Sequence, residues 1–226
     1  MNKQQQAVNN GILHRYPVIT ETISFPDGGL DILRVREMDD VLADLTDENF
    51  KEDEQFPYWA DLWPSAIALA GAVLQSPLNW QGQGCLELGC GLGLSGLAAA
   101  RKGARVLATD YSADALVFAR HNALQNSLPL ATRQLDWRYP HGFGHFRFVL
   151  GADLLYEKRN HQHLLTALEV LLQPGGTAIF ADPCRKEAAH FTSMATDSGW
   201  HLKRTETAVA YRERQHKIQL FELGRR

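Results

Sequence analysis

Five acids in this chain close, or nearly close, strand-like runs: Glu87, Asp110, Asp136, Asp153 and Asp182. The first opens the densest chemical signal. In Glu87-Leu88-Gly89-Cys90-Gly91-Leu92-Gly93, a short apolar run at 85–88 reads as a buried strand and the small residues at 94–100 as the helix after it. Glycines 89, 91 and 93 supply the positive φ that a tight turn needs. They also leave bare backbone that a ligand can approach, with the positive end of the next helix beside it. Gly91-x-Gly93-x-x-Gly96 satisfies a dinucleotide pattern, which alone is weak. The other reading is acid-x-Gly-x-Gly-x-Gly from Glu87, and a carboxylate at that point would repel a pyrophosphate. A glycine turn that merely packs a helix on a sheet is the plain structural alternative.

Residues further along add to the turn. Asp110-Tyr111 closes a second strand (105–109), 21 residues after Gly89, where a carboxylate can hydrogen-bond a ribose diol in either kind of nucleoside cofactor. Helix capping suits Ser112 better, opening a helix over 113–123. Asp136 could accept from an adenine amino group while Trp137 packs on or beside its ring, a pair that no dinucleotide pattern requires. Upstream, Trp59 and Trp63 lie in a Pro-punctuated aromatic stretch (56–64) and either cover a ligand or seal the core.

The elements that must position these groups follow an alternating pattern. A hairpin is expected from 16–25 and 30–35 around Pro26-Asp27-Gly28-Gly29, then a short amphipathic helix carrying Val41, Leu42 and Leu45. Pro64 begins a helix through Leu74. Strands are expected at 130–135, 146–152 and 177–181, helices at 161–172 and 186–197, with Pro174-Gly175-Gly176 stopping the former. Two closing strands, 202–210 and 217–223, are joined by a short polar connection and so must pair antiparallel. The expected fold is α/β: a Rossmann-like, seven-stranded, mostly parallel sheet with helices on both faces, a C-terminal antiparallel hairpin and an N-terminal β-hairpin extension. The expected division is an extension at 1–55, with its N-terminal 14 residues loosely ordered, and one unit at 56–226.

The chain has 226 residues, 45% of them hydrophobic, enough for a single full core. A net charge of −3 gives no reason to expect nucleic acid. The charge is uneven, because residues 37–54 hold nine acids and one Lys, a local −8 that leaves about +5 elsewhere. Three cysteines, 85, 90 and 184, have no metal-ligand spacing and argue against a disulfide framework. No apolar run approaches the roughly 18 residues of a membrane span. The reading is a soluble, cytoplasmic monomer. His161 with His163 and His141 with His145 are i, i+2 and i, i+4 pairs without a completing carboxylate or thiolate cluster, so structural roles are expected and no metal.

Taken together, the turn, Asp110, Asp136-Trp137 and the terminal hairpin resemble the seven-strand S-adenosylmethionine methyltransferases, and the resemblance covers nearly the whole chain. It is closest to the branch that modifies lysine in proteins, marked by Asp/Glu-x-x-Tyr/Phe after the fourth strand, here Asp153-Leu154-Leu155-Tyr156. Asp182-Pro183-Cys184-Arg185 is similar to the Asp-Pro-Gly-Arg of electron-transfer-flavoprotein lysine methyltransferases, with Cys in place of Gly. The resemblance implies S-adenosylmethionine as cofactor, contacted by Trp63, Glu87, Gly89, Cys90, Gly91, Asp110, Tyr111, Asp136, Trp137 and Ala152. It implies Asp153 and Tyr156 as catalytic residues: the carboxylate orienting the amine, the ring facing the cation. The implied partner is a protein with an exposed lysine. Two other readings stay open, a small-amine N-methyltransferase and a non-catalytic binding protein of the same fold. A lid-like N-terminal segment over the pocket would favour the small amine. The acidic stretch is either a solvated helix face or the rim of the mouth, steering a basic surface inward.

Overall fold

The computed structural model describes residues 11, 15–42 and 56–225. The expected loose N-terminus lies almost entirely outside them, and of the acidic stretch only 37–42 lies within. There Met38–Leu42 (α1) is a single helical turn with Asp39 and Asp40 in its first turn and Val41 buried. β1 (Val18–Ile23) and β2 (Leu30–Val35) form the expected antiparallel hairpin, paired Ile23↔Leu30 at the turn end.

Helix α2 (Pro64–Gln75) starts with Pro64 in its first turn, where the missing N–H costs nothing. It leads into β3 (Gly84–Leu88), α3 (Leu94–Arg101), β4 (Arg105–Asp110), α4 (Ala113–Gln125) and β5 (Leu130–Gln134). β6 (Phe146–Ala152), α5 (Lys158–Leu171), β7 (Leu172–Asp182), α6 (Lys186–Asp197), β8 (His201–Tyr211) and β9 (Arg214–Gly224) complete the chain. Strand order is β5-β4-β3-β6-β7-β9-β8. The first five strands are parallel; β9 runs antiparallel to both β7 and β8. Winding reverses between β3 and β6, and ligands of open parallel sheets sit beyond the carboxyl ends of the strands at such a switch.

Helices cover both faces. One core layer joins Leu69 and Val73 of α2 and Leu97 of α3 with Leu30, Ile32 and Val35 of the hairpin. The other sets Leu164 and Leu168 of α5 and Phe191 of α6 against Phe180 and Phe221 of the sheet. Trp80 is buried flat on Phe148, ring centroids 3.8 Å apart.

Two local details differ from expectation. Helix α5 ends at Leu171 and passes directly into β7, so Pro174-Gly175-Gly176 is not a loop between them. It is a bulge inside β7: pairing jumps from Phe146↔Leu172 to Phe148↔Thr177. Pro174 has no N–H for a ladder and Gly175 stands at φ +70°, so this segment loops out and pairing resumes beyond it. The β8–β9 connection is only Arg212-Glu213, both at positive φ (48° and 60°), the geometry that two-residue hairpins favour even though no glycine supplies it.

Candidate active site

All twelve residues nominated from the sequence line one cleft at the carboxyl ends of β3 to β7. Strand parity decides where the first acid points. Leu86 and Leu88 belong to the α5/α6 core, so Glu87 faces the opposite side, beneath the N-terminus of α3. There its Oε2 accepts from the Gly96 N–H (3.0 Å). A Cβ on Gly96 would lie 2.5 Å from that oxygen. The last glycine of the dinucleotide-like pattern therefore makes room for Glu87. Burial raises the Glu87 carboxyl to about 8, against the lowering by the Gly96 N–H.

This has a measurable consequence. A folded value of about 8 lies above the unfolded value near 4.5, so the folded state holds the extra proton between them. Stability is fullest below that window and falls as pH rises through it, by up to about 1.4 kcal/mol per pH unit for this group. Glu87→Gln removes that slope. Urea midpoints from pH 5 to 8.5 should show the wild type losing stability relative to the variant; parallel profiles would contradict the assignment.

Gly89, Gly91 and Gly93 all take positive φ (56°, 49° and 82°). A Cβ at Gly89 would fall 2.6 Å from Leu154 Cδ2, whereas one at Gly91 meets only ordinary contact, 3.6 Å from the Trp59 carbonyl oxygen. At Gly91 the requirement for glycine is thus conformational. Asp110 fastens the turn to β4: its Oδ2 accepts from Gly91 N (2.8 Å) and its Oδ1 from Ser112 N (2.9 Å), while burial raises its carboxyl above the usual range. Ser112 caps α4 as expected, accepting from Ala115 N. Cys90 is buried in the turn, its Sγ 3.8 Å from the Gly91 carbonyl oxygen. Tyr111 is half exposed at the rim, its carbonyl held by Gln134 Nε2 (2.7 Å).

Asp136 is already engaged. Arg138 donates through its backbone N–H (2.9 Å) and its Nε (3.0 and 2.9 Å). Burial alone would raise the Asp136 carboxyl, but these bonds and the guanidinium charge hold it below its ordinary value. Trp137 and Ala152 line the same cleft.

Both Trp59 and Trp63 line the cleft, and Trp59 packs against the core besides. The Trp59 ring packs on Phe118 (5.4 Å) and Tyr16 (6.3 Å). Trp63 lines the cleft and donates through Nε1 to the Tyr58 carbonyl (2.8 Å). Tyr58 in turn lies 5.5 Å from Tyr156 and 6.1 Å, edge-on, from Trp63. Asp61 anchors this loop to the β8–β9 turn through Arg212 (2.9 and 2.5 Å).

Asp153 sits one residue past β6 at φ +62°, a conformation that costs a non-glycine residue about 1 kcal/mol or more. Its N–H is tied to the Ala181 carbonyl of β7 (2.8 Å). It caps no helix, since α5 begins at Lys158 after Glu157. Oδ1 accepts from Arg185 Nη1, while Oδ2 is buried without a partner among the described residues. Arg185 is fixed from below by Asp182, whose Oδ1 takes the Arg185 N–H (2.6 Å) and whose Oδ2 lies 3.4 Å from Nη1. Burial raises the Asp182 carboxyl, opposed by the Arg185 bonds and charge. Cys184 turns this corner at φ +64°, which explains why a glycine suits the position. His161 supports the same loop from behind, donating through Nε2 to the Leu155 carbonyl (3.1 Å), with its Nδ1 3.0 Å from His190 Nδ1. Among the described residues no three His, Cys, Asp or Glu side chains gather into a metal site.

Sequence reasoning did not nominate Tyr58, Arg138 or Arg185. Tyr58 and Arg185 lay inside stretches singled out for their neighbours, and their roles depend on which loops the sheet brings together. The cleft wall carries five carboxyl groups (Asp61, Glu87, Asp110, Asp136, Asp153) and two cations, Arg138 and Arg185, both bound to carboxylates. Glu87, raised to about 8, is uncharged at neutral pH and repels nothing. The other four carboxyl groups still outnumber the two cations, a set that fits a nucleoside bearing positive charge better than a pyrophosphate.

The fold is one that solved methyltransferases share. Magnesium protoporphyrin IX methyltransferase from Synechocystis PCC 6803, solved with bound S-adenosylmethionine, shares the fold at a TM-score of 0.56 and 16% identity, over 76% of this chain and 82% of that one. The chain belongs to the lysine methyltransferase family, whose profile matches residues 45–197. Among curated relatives, the electron transfer flavoprotein beta subunit lysine methyltransferase of Danio rerio is 32% identical over 147 residues, 59% of this chain and 56% of that protein. EEF1A lysine methyltransferase 3 of Mus musculus is 29% identical over 174 residues, 74% of this chain and 72% of that protein. The match thus spans little more than half the length of the zebrafish enzyme. The methyl donor of this family and fold is S-adenosylmethionine.

Proposed function

We propose that this protein transfers a methyl group from S-adenosylmethionine to the ε-amine of a lysine in a protein partner. The observation that carries the reading is Asp153: one carboxylate oxygen held by Arg185, the other buried without a partner among the described residues, in a cleft that Tyr156 also lines. Bound S-adenosylmethionine supplies an activated methyl group on a cationic sulfur. The glycine turn, Asp110, Tyr111, Trp63, Ala152 and Trp137 would hold it, with Asp136 reaching the base only while it also holds Arg138.

A lysine amine has an ordinary pKa near 10.4, so at pH 7 fewer than about one in 10³ is neutral. The chain's residues must therefore accept an ammonium, release a proton and aim the lone pair. The Asp153 carboxylate accepts an amine N–H and fixes its direction, while Arg185 on Oδ1 and the Ala181 carbonyl on the backbone N–H hold the residue in place. Tyr156 and Tyr58 offer ring faces to the cation, worth about 0.5–2 kcal/mol. The aromatic loop excludes water on that side.

A protein substrate is favoured over a small amine by the family and by relatives named for methylating lysines of proteins, the electron transfer flavoprotein beta subunit and EEF1A among them. The N-terminal hairpin packs on α3 and α4 and does not close over the mouth. No helix of the described residues is long and apolar enough to cross a membrane. Three free cysteines accord with a reducing compartment, so we place the enzyme in the cytoplasm, as a monomer meeting its partner through the open mouth. Incubation with methyl-labelled donor and a cell extract, followed by separation by size, tests the reading. Label should accumulate in the macromolecular fraction; label confined to small molecules would favour the small-amine enzyme.

A further inference from the structure

Helix α4 carries Asn122 and is capped at its C-terminus by Asn126, four residues on and on the same face. That face meets β2. The hairpin sheet has only two strands, so the outer edge of β2 presents unpaired N–H and C=O groups at Asp31 and Leu33. Each asparagine amide satisfies one of these residues as a further strand would. Asn126 accepts from Asp31 N (2.9 Å) and donates to Asp31 O (2.7 Å). Asn122 accepts from Leu33 N (2.8 Å) and donates to Leu33 O (3.2 Å).

Asn122 then does something its neighbour does not. Its Nδ2 also donates to the carbonyl oxygen of Leu92 (3.0 Å), between Gly91 and Gly93. The side chain is fully buried, and both amide hydrogens and the amide oxygen are used. One turn earlier on the same helix, Ala119 presses on the turn so closely that a Cβ on Gly93 would lie 3.1 Å from its Cβ. A run of left-handed glycines loses more conformational freedom on ordering than any other backbone. Here it is pinned from two directions, by Asp110 on the Gly91 N–H and by Asn122 on the Leu92 carbonyl.

We propose that Asn122 is a positioning residue for methyl-donor binding, transmitting the seating of the N-terminal hairpin to the glycine turn through the Leu92 carbonyl. The inference rests on the donor-binding role assigned to that turn. Asn122→Asp keeps the acceptor for Leu33 N but sets an oxygen against the Leu33 and Leu92 carbonyls. Asn126→Asp sets an oxygen against the Asp31 and Asn122 carbonyls and leaves Leu92 untouched. The readout is the dissociation constant of S-adenosylhomocysteine by titration calorimetry, measured below the melting transition of every variant.

The wild type should bind, Asn122→Asp should bind about tenfold or more weakly, and Asn126→Asp should stay within about threefold, one hydrogen bond to the turn being worth roughly a factor of ten. Melting temperatures of both variants should fall, further for the fully buried Asn122 than for the part-exposed Asn126, and affinity is compared well below both transitions. Asn122→Ala against Asn126→Ala repeats the comparison without an added carboxyl if either acidic variant does not fold. Equal affinity of the Asn122 variants and the wild type would overturn the inference. So would losses of affinity that follow melting temperature alike in both pairs. A wild type that does not bind S-adenosylhomocysteine would instead remove the donor-binding reading itself.

Discussion

Replacing Asp153 with Ala lowers methyl transfer by about 10²-fold or more while S-adenosylhomocysteine affinity stays within a few-fold of wild type. The split follows from position. Asp153 stands beyond β6, with one oxygen on Arg185 and the other buried without a partner among the described residues. The glycine turn and Asp110, which would hold the donor, are fastened to each other and not to Asp153. Losing a positioned carboxylate that orients or deprotonates the amine costs a rate factor typical of general acid–base groups, about 10²–10⁴. The assay pairs turnover on labelled protein with calorimetry of the cofactor product. An active Asp153→Ala enzyme would reduce the residue to an anchor for Arg185.

Asp110→Ala is expected to have the opposite signature. It strips the acceptor from both Gly91 N and Ser112 N in a buried setting. Each buried donor left without a partner costs about 1–3 kcal/mol, so the melting temperature should fall and the turn should lose its shape. The carboxylate offered to a ribose diol goes with it. Donor affinity should therefore drop by about 10²-fold or more, seen directly by calorimetry. Binding at wild-type strength would show that Asp110 serves the fold alone.

The features legible in the sequence share one property: they are local. Positive φ at Gly89, Gly91 and Gly93, the cap at Ser112, Pro64 at a helix start and the strands ending at Asp110 and Ala152 each depend on residues within a few positions. Those that escaped depend on adjacency across the fold. Arg185 reaches Asp153 because β6 and β7 are neighbours, a fact carried by strand order and not by spacing. Asn122 and Asn126 looked like ordinary helical residues until β2 was laid along α4. Trp59 and Trp63 have the same composition signal, and only the packing on Phe118 shows that Trp59 joins the core as well as the cleft. Arg212-Glu213 forms a tight hairpin turn without glycine, so turn chemistry gave no warning of its length. The acidic run, read as a rim or a solvated face, lies mostly outside the described residues.

The central claim is that the cleft methylates a lysine side chain of another protein. Incubating the enzyme with donor carrying a heavy methyl group and an extract of proteins, then locating the added mass by tandem mass spectrometry, tests it most directly. The account predicts heavy methyl on the ε-nitrogen of one or a few lysines, absent with the Asp153→Ala variant and with no enzyme added. Heavy methyl on another residue type, or on lysines in equal amount with Asp153→Ala, would contradict it.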